Sequence, residues 1–154
     1  MGVTRRIAAA AILAYLPAGF APPASAAPND QSNAKQMSGH YVETSTAAGT
    51  STTQTNDWYV TPCGDGCASV AGTPGGQPWG QAKLANGQWT MEATASAGCT
   101  DGSRVDDALS SHYTWDPNSL AGTSQNTYTK AACGFSAGTT TTSNIQFKAA
   151  EAAH

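Results

Sequence analysis

Four cysteines are the residues of this chain whose chemistry depends most on spacing. They are Cys63, Cys67, Cys99 and Cys133, and four cysteines can pair in three ways. The segment Gly64-Asp65-Gly66 can turn tightly enough to bring Cys63 and Cys67 within bridging distance. We therefore favour a Cys63–Cys67 disulfide, and Cys99 is then left to pair with Cys133.

Two other uses of these cysteines fit the sequence less well. Zinc sites made of four cysteines usually have two close pairs of ligands, whereas Cys99 and Cys133 stand alone and far apart. A redox-active pair usually has two intervening residues, but Cys63 and Cys67 have three, and no helix start follows them to activate a thiol. The sequence therefore predicts structural disulfides and no metal site.

A serine, a histidine and nearby aspartates could in principle carry out nucleophilic hydrolysis. Ser110, Ser111 and His112 follow Asp106 and Asp107. Adjacent residues on a strand point to opposite faces, however, and cannot form a relay from serine to histidine to aspartate. We predict no catalytic residue here and no enzyme activity.

Acidic side chains raise two further possibilities. Oxygen ligands for calcium could come from the segment 101–107, but their order does not match a calcium-binding loop. Glu43 and Glu92 could face one another as glycosidase carboxylates inside a barrel. Alternation instead places Glu92 on the polar side of its strand, so we predict no cofactor and no metal.

Three aromatic residues are the candidates for ligand binding. Trp79 lies in the segment Gly75-Gly76-Gln77-Pro78-Trp79-Gly80, a flexible loop that has no need of a large ring. Its ring either folds back onto the core or stacks on a ligand. Tyr113 and Trp115 share one face of a later strand. We therefore predict a weak ligand site at Trp79, Trp115 and Tyr113, beside the open end of a barrel.

Short segments of alternating hydrophobicity must position all of these residues. Asn86-Gly87 separates Leu84 from an alternating run that starts at Trp89, which is a strong hairpin signal. Further strands are predicted at 41–46, 57–61, 68–71, 112–116, 127–132 and 143–148, and 105–111 could form one helical turn. We expect an all-β fold with seven to eight short antiparallel strands in a small up-and-down barrel or curved meander; a Greek-key β-sandwich is the alternative.

The core must be built largely from rings. After residue 26 the chain has eight Ile, Leu or Val residues and ten aromatic residues. A core this poor in aliphatic side chains is thin, and small exported domains commonly compensate with disulfides.

The first residues have the order of a signal peptide. Arg5 and Arg6 precede an apolar run, and Ala24-Ser25-Ala26 offers a cleavage site. The apolar run is shorter than the roughly 20 residues that a spanning helix needs, so stable membrane insertion is not expected. We predict a signal peptide at 1–26, a flexible tail at 27–38, one β domain at 39–148 and a C-terminal tail at 149–154, in a secreted or cell-envelope protein.

The charge of the processed chain excludes one class of partner. Its five basic residues and ten acidic residues give a net charge of −5. The basic residues are also scattered, whereas a nucleic-acid surface needs clustered positive charge. We therefore predict no nucleic-acid partner, and an unknown ligand or envelope protein instead.

Several segments together resemble a group of small exported actinobacterial proteins of mycobacterial type. They are Gly39-His40-Tyr41, the run from Trp58 to Cys67, Leu84 to Trp89, Cys99-Thr100-Asp101-Gly102, and the run from Trp115 to Thr123. Similar modules form the outer portions of some membrane-anchored serine/threonine kinases. The resemblance implies an exported β domain and no catalytic residues.

Two functions follow as expectations. The first is a non-enzymatic domain that binds a small molecule, a glycan or an envelope partner. The second is an interaction or inhibitor protein that presents the disulfide-stabilised Cys63–Cys67 loop.

Overall fold

A computed structural model describes residues 35–151 and shows eight β-strands. No helix in this range is long and apolar enough to cross a membrane. The signal peptide and most of the tail predicted above lie outside the described residues. The strands are β1 (Gly39–Ala47), β2 (Thr53–Gly64), β3 (Cys67–Ala71), β4 (Gly80–Ala85), β5 (Gln88–Gly98), β6 (Arg104–Trp115), β7 (Ala121–Tyr128) and β8 (Thr140–Ala149).

The strands close into an up-and-down barrel. Each strand pairs antiparallel with the next in sequence, and β8 returns to pair with β1. This confirms the barrel and excludes the Greek-key sandwich. Both predicted disulfides are present, each with Cα atoms 5.0 Å apart. Cys63–Cys67 bridges the β2–β3 turn at one end of the barrel, and Cys99–Cys133 joins the β5–β6 turn to the β7–β8 connection at the other end.

Two sequence predictions of local structure are wrong. Residues 105–111 are not a helical turn but part of β6, where a register shift between Ala95 and Ala97 and a positive φ at Asp107 (51°) disturb the alternation. The strand predicted at 127–132 is β7, which runs from 121 to 128. Its inward residues include Gly122 and Ser124, so no apolar alternation marks it.

The apolar core fills one half of the barrel. Four large rings dominate it, and each is at most 2% exposed: Trp58, Trp89, Trp115 and Phe147. Met37, which lies in the segment predicted as a flexible tail, is 1% exposed, and its Sδ accepts a hydrogen bond from Trp115 Nε1 at 3.1 Å. The described fold therefore includes residues before β1.

Strands β6 and β7 approach too closely for a side chain at Gly122. A Cβ there would lie 1.9 Å from Thr114 O and 2.6 Å from Trp115 Cα. Both atoms belong to the backbone and cannot move away independently. Glycine is therefore required for β7 to pack beside the Trp115 layer.

The barrel wall has an opening on one side, which we call the slot. Strand β3 pairs with β2 only from Tyr59 onward, and β4 pairs with β5 only as far as Ala93. Residues 53–57 of β2 and 94–98 of β5 thus have no strand partner on that side among the described residues. Because the β3–β4 hairpin is too short to cover this height of the barrel, the interior opens between these two edges.

Candidate ligand-binding cavity

A cavity of about 640 Å³ lies in the barrel interior beside the slot. Strands β1, β2, β5, β6 and β7 contribute to its lining, together with the loop that carries Trp79. The lining residues used below are Glu43, Asn56, Asp57, Trp58, Trp79, Arg104, Asp107, Ser111, Tyr113, Ser124 and Asn126.

The interior changes from apolar to polar along the barrel axis. Inward residues alternate along each strand, so the change is visible within single strands. On β1 the inward residues are Tyr41, Glu43 and Ser45, and on β2 they are Trp58, Asn56 and Gln54. The aromatic layer therefore forms the floor of a cavity whose walls are polar.

Glu43 is the only buried carboxylate among the described residues, with 2% exposure. It lies directly opposite Asn56 in the β1–β2 register, and Asn56 Nδ2 donates a hydrogen bond of 2.7 Å to Glu43 Oε2. Burial raises the pKa of this carboxyl, while hydrogen bonds from the Asn56 and Trp58 side chains partly oppose the rise. A charged Glu43 is thus costly without a positive partner.

The wall opposite β1 is held by a second cross-strand pair. Ser111 lies opposite Asn126 in the β6–β7 register, and its Oγ donates a hydrogen bond of 2.6 Å to Asn126 Oδ1. Burial raises the pKa of the neighbouring Tyr113 to about 12, with a further contribution from the negative charge of Glu43 and a small opposing one from Ser111. Tyr113 therefore stays a neutral hydroxyl beside Glu43 at neutral pH.

Three aromatic rings meet at the edge of the cavity. The Trp58 ring centroid lies 5.1 Å from that of Trp79 and 5.3 Å from that of Tyr113, both edge-on. The Trp79 backbone N–H donates to Val70 O at 2.9 Å, which fixes the loop against β3. Trp79 is half-buried: its ring packs on the core, which is one of the two predicted alternatives, and it also lines the cavity.

The three predicted ligand-binding residues do not all reach the cavity. Trp79 and Tyr113 line it. Trp115 does not, because it lies two residues further toward the apolar end of β6 and is 1% exposed. Trp115 is a core residue that supports the floor.

The residues of the two rejected catalytic arrangements lie on opposite faces of the barrel wall. Ser111 points into the barrel, whereas His112 points outward and bonds through Nδ1 to the carboxylate of Glu92. Glu92 is on the outer face, with 71% of its side chain exposed, and Glu43 is on the inner face. The serine and histidine therefore do not meet, and the two glutamates do not face one another.

The Cys63–Cys67 loop lies at the end of the barrel away from the cavity. Gly66 O accepts a hydrogen bond of 2.8 Å from Leu84 N, and Gln36 Nε2 donates one of 2.7 Å to Cys67 O. The loop is thus fixed to β4 and to the segment before β1. It shares no lining residue with the cavity.

Sequence reasoning did not assign the polar lining to a site. The sequence suggests Glu43 only as half of a carboxylate pair, and no sequence signal singles out Asn56, Ser124 or Asn126. One signal was available: Glu43 is two residues from Tyr41, so alternation places both on the inner face.

Comparisons of the chain with protein-family models, with curated proteins and with solved structures found no match. The resemblance to exported actinobacterial proteins therefore stays a prediction.

Proposed function

We propose that this protein is an exported, non-enzymatic domain that binds a small molecule in the cavity beside the slot. The observation that carries the proposal is the polar interior itself. A barrel of this size can fill its interior with side chains or hold one small ligand, and here the aromatic core occupies one half and a cavity of about 640 Å³ lies beside it. The other half has an opening, polar walls and an aromatic edge, as ligand sites usually have.

Export is part of the same proposal. Two disulfides in a domain with a thin core are consistent with an oxidising, extracytoplasmic location. The signal-peptide pattern of residues 1–26 supports secretion or retention in the cell envelope.

The test is a titration of the purified protein with envelope lipids, glycans and peptidoglycan fragments, in which binding is monitored by tryptophan fluorescence. Trp79 at the cavity edge provides the signal. Ser124→Leu fills the cavity from β7, because Ser124 is 2% exposed and lines it. Gln125→Leu is the matched control, since Gln125 is the exposed neighbour on the outer face.

We expect at least one compound to give a saturable change that Ser124→Leu abolishes and Gln125→Leu preserves. A panel with no saturable response contradicts the proposal. So does a response that survives Ser124→Leu in a folded variant.

Presentation of the Cys63–Cys67 loop to a protein partner remains the second hypothesis. Because this loop is at the other end of the barrel, the Cys63→Ser/Cys67→Ser double variant should keep cavity binding. Loss of a protein partner in the same variant favours loop presentation instead.

A further inference from the structure

The charge distribution of the cavity points to a class of ligand. We infer that the cavity binds a small organic cation, whose positive group pairs with the Glu43 carboxylate at the aromatic floor. This inference rests on the binding function proposed above and names the chemistry of its ligand.

Glu43 has no positive partner within the described chain. Three ion pairs occur among residues 35–151, and none includes Glu43: they are His40–Asp57, Arg104–Asp106 and His112–Glu92. Buried carboxylates in proteins are normally paired with a cation or bound to a metal. Asn56 supplies one neutral donor to Glu43, so a positive group entering the cavity would supply the missing partner.

Aromatic rings form the edge of the cavity that contains Glu43. Trp58, Trp79 and Tyr113 line the same cavity as Glu43, with ring centroids 5.1 to 6.2 Å apart. Aromatic rings attract cations through their quadrupole, most strongly where water is excluded. Rings beside a buried carboxylate therefore favour an organic cation over an anion, which Glu43 would repel.

Charged side chains lie around the slot. Asp57, which is bonded to His40 Nε2 at 2.8 Å, and Asp107 line the cavity, and its one lysine or arginine is Arg104. The Arg104 guanidinium is already engaged, since Nε donates to Asp106 and NH2 donates to Ser96 at 2.9 Å. The opening thus carries more negative than positive charge, which favours the entry of cations.

A neutral polar ligand is the main competing class. It could hydrogen-bond with Ser111, Ser124 and Asn126, but it would leave a charged Glu43 without a cation or require Glu43 to be protonated. The two classes therefore differ in one measurable way: only a cation should depend on the charge of Glu43.

The experiment compares choline with its neutral isostere, in which a carbon atom replaces the nitrogen. Binding of each to the purified protein is measured by calorimetry and tryptophan fluorescence. Glu43→Gln removes the charge and keeps the side-chain shape and the acceptor for Asn56. Glu92→Gln is the matched control, because Glu92 is an exposed carboxylate on the outer face.

We expect the wild-type protein to bind choline at least about tenfold more tightly than the neutral isostere. Glu43→Gln should lose this discrimination while remaining folded by circular dichroism, and Glu92→Gln should keep it. Equal binding of the two compounds by the wild type overturns the inference, and so does failure of choline to bind.

The outcomes also separate this inference from the proposed function. If neutral or anionic compounds bind and Ser124→Leu blocks them, the cavity is a binding site but not for cations. If no compound of either panel binds, the proposed function fails as well.

Discussion

Removal of the Cys99–Cys133 disulfide should destabilise the protein far more than removal of Cys63–Cys67. The first bridge joins residues 34 positions apart and the second joins residues 4 positions apart. In the chain-entropy description a bridge stabilises by restricting the unfolded chain, and the effect grows with the logarithm of loop length. These separations give about 3.8 kcal/mol for Cys99–Cys133 and about 1.9 kcal/mol for Cys63–Cys67.

The assay is equilibrium unfolding in urea of two double variants, Cys99→Ala/Cys133→Ala and Cys63→Ala/Cys67→Ala, beside the wild type. Each variant removes one bridge and leaves no free thiol among the described residues. The free energy of unfolding should fall about twice as much in the first variant as in the second. Equal losses, or a larger loss for the short bridge, would refute the entropic reasoning for this domain.

Three further perturbations have defined outcomes. Burial raises the Glu43 pKa, so protonated Glu43 stabilises the folded state below about pH 4.5, and this stabilisation is lost as pH rises through the folded pKa. The Glu43→Gln variant should therefore have a higher melting temperature than the wild type at neutral pH, and the difference should shrink in acid. A pH-independent difference equal to that of Glu92→Gln would contradict this. Gly122→Ala should lower the free energy of unfolding in urea by about 1–3 kcal/mol, because β6 blocks the new methyl group. Gly98→Ala should lower it far less, because a Cβ at Gly98 meets no atom within 4 Å. Similar losses in the two variants would show that the close approach of β6 and β7 is absent. Met37→Ala should cost about 2–5 kcal/mol in the same assay, and an unchanged unfolding midpoint would place Met37 outside the core.

Local signals predicted the parts of the fold that depend on neighbouring residues. Asn86 and Gly87 both have positive φ values, 53° and 73°, as the hairpin requires. The short cysteine spacing identified the Cys63–Cys67 bridge for a similar reason, since glycines on either side of Asp65 permit the turn. These features need no knowledge of the rest of the barrel.

Strand β7, which contributes Ser124 and Asn126 to the cavity, was harder to predict than its neighbours because its inner face is polar. Strand prediction relies on apolar residues at every second position. Where the inner face is polar, as at Ser124 and Asn126 in β7, inner and outer residues look alike. The polar lining on which the proposed binding site depends therefore removes the signal that would have located β7.

The error at residues 105–111 has a different origin. Val105, Ala108 and Leu109 follow a helical spacing in the sequence. In the barrel β6 advances four positions, from Val105 to Leu109, where β5 advances two, from Ala95 to Ala97, so the bulge adds two residues to β6, and Asp107 takes up the irregularity with a positive φ. Such a bulge depends on the paired strand, so the segment alone does not reveal it.

In the binding mode that we propose, a ligand cation reaches the carboxylate of Glu43. The most direct measurement is NMR of the protein isotopically labelled at its glutamate carboxyl groups, titrated with choline. We predict that the Glu43 signal moves saturably while the Glu92 signal on the outer face stays in place. A Glu43 signal that does not move while choline binds, or that moves no more than Glu92, would contradict the account.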